Sequence, residues 1–222
     1  GKTTAALTLG QDRWGYVTDE TVAIDAVGTV RAFPKPLALV GPPQSEKHLV
    51  SPARLGMQRC PERLRVGALV YLDRDRSHSS GPSSLESLDL LDAVELLAAQ
   101  CSALTQIDQP LHRLKGLVES TGGMQVLHYR EIGEIGALLT GTVARHEPIS
   151  SPRLSDGMAL PRPESLLDAV ATDHGALVLT HERMIRLTPL GILVWRLADA
   201  GMSHRAILRE CIRAEGQHPD AS

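Results

Sequence analysis

Between Arg145 and Pro163 the chain carries Pro148, Pro152, Pro161 and Pro163, with serine and arginine between them and no apolar periodicity. Proline fixes φ and removes a backbone donor, so such a stretch joins neither a helix nor a sheet interior. It reads as a linker over 145–163. The 222 residues therefore divide into a larger region, 1–144, and a smaller one, 164–222.

In the larger region, Lys2 to Gly10 predicts a short helix closed by Gly10. Tyr16 to Ile24 and Thr29 to Phe33 predict a hairpin through the Val27-Gly28 turn, and Leu64 to Leu72 a clean strand. No element is assigned over 44–62. Leu85 to Ala103 and Gln109 to Ser120 predict helices, Met124 to Tyr129 a strand, and Glu131 to Ala144 a helix. In the smaller region, 165–171, 176–180 and 184–187 predict strands. Thr188-Pro189 starts a helix with Thr as N-cap and Pro at the first helical position, and Ser203 caps a second. The class expected is α/β in the mixed α+β sense.

Composition narrows function. A formal net charge of −3 supplies no field to attract nucleic acid, and aromatics at 3% supply few stacking surfaces. No apolar run reaches the roughly 20 residues of a membrane helix. Cys60, Cys101 and Cys211 are far apart and odd in number, which argues against a disulfide framework or zinc knuckle and suits a reducing cytoplasm. The nine histidines show no HxH or HxxxH spacing, which argues against a metal centre built on them. Gly1 without a preceding strand, and an end at Ser222 directly after a helical pattern, predict an internal piece of a longer protein.

Gly1-Lys2-Thr3-Thr4 matches the tail of G-x-x-x-x-G-K-[ST], in which amides at a helix N-terminus cradle phosphate oxygens. Lys2 would place charge on the β and γ phosphates of ATP, and Thr3 would put its hydroxyl on Mg²⁺. The adjacent acids Asp19-Glu20 follow, on a segment expected to be a strand. Pro34-Lys35-Pro36-Leu37 and Leu72-Asp73-Arg74-Asp75-Arg76 come later. This order resembles the HPr kinase/phosphatase family, with its phosphoenolpyruvate-carboxykinase-like fold, across roughly 1–144. The resemblance implies cofactor-binding residues Gly1, Lys2, Thr3 and Thr4. It implies Mg²⁺ on Thr3 and Asp19, and Glu20 with Asp19 as the catalytic acids.

Two departures stand out: the family's Asp-Asp pair is Asp-Glu here, and the glycine-arginine-asparagine loop has no counterpart. The second puts HPr itself in doubt as substrate. Arg74 and Arg76, beyond a strand's carboxyl end, have the placement to meet a transferring phosphoryl group. Alternating Asp and Arg reads first as a self-neutralising surface loop. Lys35 is held rigidly between prolines.

Residues 164–216 resemble PqqD-like domains, the peptide-recognition winged helix-turn-helix elements of peptide-modifying clusters. The match runs from Ala176-Leu177-Val178-Leu179 through Met184–Gly191 and Val194–Ser203 to Ala206-Ile207; the family's last helix lies beyond this chain. The resemblance implies a leader or precursor peptide bound as an added strand. Trp195 reads as core packing. DNA reading by the second helix, with His204, Arg205, Arg209 and Arg213 against Glu210 and Glu215, is the rival. The function implied is ATP-dependent phosphoryl transfer to a serine-type hydroxyl, with the peptide presented by the second domain. The alternative is a non-catalytic protein whose nucleotide site gates partner binding.

Overall fold

The computed structural model describes residues 2–12, 14–41, 46–74, 82–144 and 165–216. The expected linker 145–163 lies outside these residues, as do Gly1 and Arg76. The protein is mixed α+β. Its contacts group it into two compact units, Gly1–Leu88 with Ser120–Ser151, and Asp89–Glu119 with Pro152–Ser222. The helical stretch 89–119, which the sequence places in the first region, thus belongs by contact with the C-terminal strands.

The first unit opens with α1 (Lys2–Asp12). Its Ala6 and Leu7 pack on a small core of Tyr16, Leu37 and Met57. Three small sheets follow. Strands β1 (Ala23–Ile24), β2 (Thr29–Arg31) and β5 (Leu64–Arg65) form an antiparallel set in the order β1-β2-β5. The turn between β1 and β2 is fastened by Asp25, whose Oδ1 accepts from Val27 N (3.0 Å) and Thr29 N (2.8 Å). Gly28 takes φ +79°, which an L side chain rarely adopts. Strands β3 (Leu37–Val40) and β4 (Lys47–Val50) pair antiparallel.

Strand β6 (Leu69–Arg74) lies parallel to β8 (Met124–Tyr129), and β7 (Ser84–Ser87) pairs antiparallel with β8 on its other side. Beneath this sheet, Leu72, Leu85, Leu127 and Tyr129 meet Ile135, Leu138 and Leu139 of α4 (Ile135–Ala144).

The second unit contains α2 (Leu90–Gln100), α3 (Pro110–Ser120), strands β9 (Leu166–Thr172), β10 (Gly175–Thr180) and β11 (Met184–Leu187), then α5 (Pro189–Asp199) and α6 (His204–Glu215). Its sheet is antiparallel in the order β11-β10-β9. Gly175 through Leu179 are all buried, so the central strand β10 is covered on both faces. On one face Ala171, Ala176 and Leu187 pack with Ile192 of α5. On the other, α2 approaches: a Cβ on Gly175 would sit 3.6 Å from Leu91 Cδ1. Alternation puts Leu177 and Leu179 on that same α2 side. A strand buried on both faces reads as the continuous apolar run Ala176-Leu177-Val178-Leu179.

Several expectations are corrected. Residues 16–22 form no strand. Tyr16 turns its ring into the Leu37–Met57 core, Asp19 and Glu20 sit in a bend, and only Ala23–Ile24 finds a ladder. Leu64–Leu72 is two strands in different sheets, separated by Val66–Ala68. Leu85 does not start a helix: Ser84–Ser87 pairs with β8, and α2 begins only after Asp89, whose carboxylate caps Leu91 N at 2.8 Å. The unassigned stretch holds β4 and a 3₁₀ turn at Pro52–Leu55, closed by Gly56 at φ +71°. Among the described residues no helix is long and apolar enough to cross a membrane.

Candidate functional site

At the N-terminal end, Lys2, Thr3 and Thr4 occupy the first turn of α1, with Lys2 and Thr4 exposed and Thr3 half-buried. A helix start leaves backbone N–H groups free of intrahelical partners, the donor arrangement a phosphate requires. The helix is seated from behind. Ala5 and Gly10 are buried, and a Cβ on Gly10 would come within 3.1 Å of Met57 Cε.

The acidic pair is gathered with Lys35, 15 and 16 positions further along. The Tyr16 hydroxyl donates to Asp19 Oδ1 (3.0 Å) and lies 3.3 Å from the Lys35 carbonyl oxygen. Lys35 Nζ pairs with the Glu20 carboxylate. Burial, and then the Asp19 carboxylate, push the Tyr16 phenol up to about 12, because both disfavour a second negative charge there. Asp19 is half-buried, whereas Glu20 is exposed in the bend. None of the described hydrogen bonds or ion pairs joins Lys2, Thr3 or Thr4 to either acid. The two motifs of the expected site are thus each formed locally, and the second draws in Lys35.

Arg74 ends β6. Its Nε donates to the Arg130 carbonyl (3.1 Å) and its Nη2 lies 3.5 Å from Glu131 Oε1, so the turn after β8 holds it. Three further groupings carried no sequence signal. Asp73, His128 and Glu86 come from β6, β8 and β7, with Asp73 Oδ2 at 3.1 Å from His128 Nδ1 and Glu86 Oε2 at 3.6 Å from His128 Nε2. Arg186 on β11 meets both Asp92 and Glu95 of α2. Buried Asp168 on β9 binds the start of α3, accepting from His112 N (3.0 Å) with its other oxygen 2.6 Å from His112 Nδ1. Only strand pairing and helix packing reveal these, since the partners are 42 to 94 positions apart.

In the second unit, β11 is an edge strand, paired only with β10 among the described residues. The two helices that follow are capped as expected, Thr188 Oγ1 accepting from Gly191 N (3.2 Å) and Ser203 Oγ from Ala206 N (3.4 Å). Ile192 and Ile207 are buried, while Val194 on α5 and Leu208 and Ile212 on α6 remain exposed, Leu208 at 60%. Spacing of 208 and 212 puts both on one stripe of α6. Trp195 is half-buried. Of the α6 cations, Arg213 is bound in bidentate fashion by Glu210 at 2.8 and 2.7 Å, which leaves Arg205 and Arg209 as exposed charges.

No protein-family model matches the chain, and neither the curated proteins nor the solved structures contain a significant match to it.

Proposed function

We propose that the second unit captures an extended peptide at the free edge of β11, and that the first unit belongs to an ATP-dependent phosphotransferase acting on a serine-type hydroxyl of that peptide. The observation that carries the first half is the edge strand β11, packed against α5, which exposes Val194, while α6, packed on α5, exposes Leu208 and Ile212. An extended peptide laid beside β11 would gain main-chain hydrogen bonds from the strand and apolar contact from the helices. Fluorescence anisotropy with short peptides encoded beside the gene tests it. Leu208→Asp and Val194→Asp should each weaken binding at least tenfold, and equal affinity in both variants refutes edge capture.

The phosphotransfer half is supported by Lys2, Thr3 and Thr4 on the first turn of α1 and by the grouping of Asp19, Glu20 and Lys35. Lys2 would hold ATP phosphates, Thr3 and Asp19 would hold Mg²⁺, and Glu20 would take the hydroxyl proton on release from Lys35. Positioning and charge neutralisation would supply most of the rate. The assay is transfer of labelled γ-phosphate by a chain carrying a complete glycine-rich loop ahead of Lys2. Nucleotide binding without transfer, unchanged by Glu20→Gln, would point instead to a nucleotide-gated binding protein. Salt-sensitive duplex binding lost on replacing Arg205 and Arg209 would point to DNA.

A further inference from the structure

Helix α6 packs on α5 with Ile207 buried, and it turns another face to solvent. Arg205, Leu208, Ile212 and Glu215 are all exposed on that face, Leu208 at 60% and Ile212 at 41%. They stand three, four and three positions apart, the spacing that keeps side chains on one seam along a helix. Aliphatic side chains at the centre of such a seam lose contact with water when a second helix lies along it.

The charges select the partner. Arg205 lies in the first turn of α6 and Glu215 in the last. The described ion pairs include neither of them, Arg213 being the cation that Glu210 holds. Both sit at the wrong end for the helix's own dipole, which favours acids at its start and bases at its finish. A second copy of α6 running antiparallel supplies each end with its complement. About a two-fold axis midway between 208 and 212, Leu208 of one copy lies against Ile212 of the other, and Arg205 against Glu215. Every contact then occurs twice, as a two-fold interface requires. We propose that the protein self-associates as a dimer through α6, paired antiparallel in this register. Arg209 flanks the seam beside its own copy and turns to water, adding nothing. With 12 residues, α6 is about 18 Å long. A contact of that length falls below the roughly 1,200 Å² of a stable complex, so the dimer is weak, with a Kd on the order of 0.1–1 mM. It goes beyond peptide capture and does not rest on it, although both draw on Leu208.

Sedimentation equilibrium of the full chain without peptide, from about 10 μM to about 2 mM, tests it. The parent should pass from monomer to dimer across that range, and Leu208→Asp should stay monomeric. Arg205→Glu and Glu215→Arg should each weaken self-association at least tenfold, because each sets like charges together twice. An equimolar mixture of those two variants should form a heterodimer, since every end then meets its opposite. These residues are exposed, so circular dichroism of each variant should match the parent. The charge variants retain Leu208 and Ile212, so failure of the dimer is read apart from failure of peptide capture. The proposal fails if the parent is monomeric throughout, if Leu208→Asp or either charge variant alone dimerises as the parent does, or if the mixed charge variants stay monomeric.

Discussion

Replacing Asp168 with alanine should detach α3 from the C-terminal sheet. The Asp168 side chain is only 2% exposed, and its carboxylate has three neighbours. One oxygen accepts from Ala169 N (2.8 Å) and lies 2.6 Å from His112 Nδ1; the other accepts from His112 N (3.0 Å) in the first turn of α3. A hydrogen bond to a charged group contributes about 1.5–3 kcal/mol, and donors left buried without an acceptor cost about 1–3 kcal/mol each. These terms overlap, so their sum overstates the loss. With the bond from the His112 amide lost and one donor stranded, we expect Asp168→Ala to cost about 3–5 kcal/mol. That is a large share of the roughly 5–15 kcal/mol that holds a domain folded. Urea denaturation gives the loss, and amide exchange at His112 should accelerate with it. A double-mutant cycle with His112→Ala should return a coupling of at least about 1 kcal/mol. A loss under about 1 kcal/mol, or additive single variants, would refute the account of how α3 is held.

Three further outcomes are expected. Gly175→Ala should cost about 2–4 kcal/mol in thermal or urea unfolding, because φ is +151° and the added Cβ would lie 2.5 Å from the Leu187 carbonyl oxygen. Tyr16 has its phenol raised to about 12 by burial and by Asp19, so its contribution is complete below about pH 10 and is lost as pH climbs through about 12. At about 1.4 kcal/mol per unit the contribution is at most roughly 2–3 kcal/mol, and Tyr16→Phe should remove that alkaline dependence from the denaturation midpoint. Asp25 is held below the usual carboxylate range, chiefly by the Thr29 amide and then by Val27. Its contribution is present above the ordinary carboxylate pKa and fades as pH falls through the lower folded value, so the Thr29 amide resonance should move in acid and be insensitive in Asp25→Asn.

Local chemistry was readable where neighbours along the chain do the work. Thr188-Pro189 and Ser203 cap α5 and α6, Val27-Gly28 lies in the β1–β2 turn, and the apolar run 176–179 is the buried strand β10, because each depends on backbone geometry within a few residues. Of the strand expected at 16–24, only Ala23–Ile24 was formed. Its alternation is the same whether Tyr16 faces a sheet or, as here, a pocket of Leu37 and Met57, and sequence spacing does not choose between them. Leu85 likewise keeps helical spacing with Leu88 and Leu91, yet pairing of Ser84–Ser87 with β8 wins until Asp89 caps the helix.

The candidate sites divide along the same line. The helix start at Lys2-Thr3-Thr4 could be read directly, since a helix terminus depends on contiguous residues alone. Non-contiguous partnerships could not: Glu20 with Lys35, Asp73 with His128 and Glu86, and Asp168 with His112 depend on which strands and helices lie side by side. The same holds for the grouping of Asp89–Glu119 with the C-terminal strands rather than with the region that precedes it. A sequence pattern records which face of an element is apolar. It does not record which partner buries that face, because any surface of matching shape and apolarity removes the same area from water, and only the folded chain selects one.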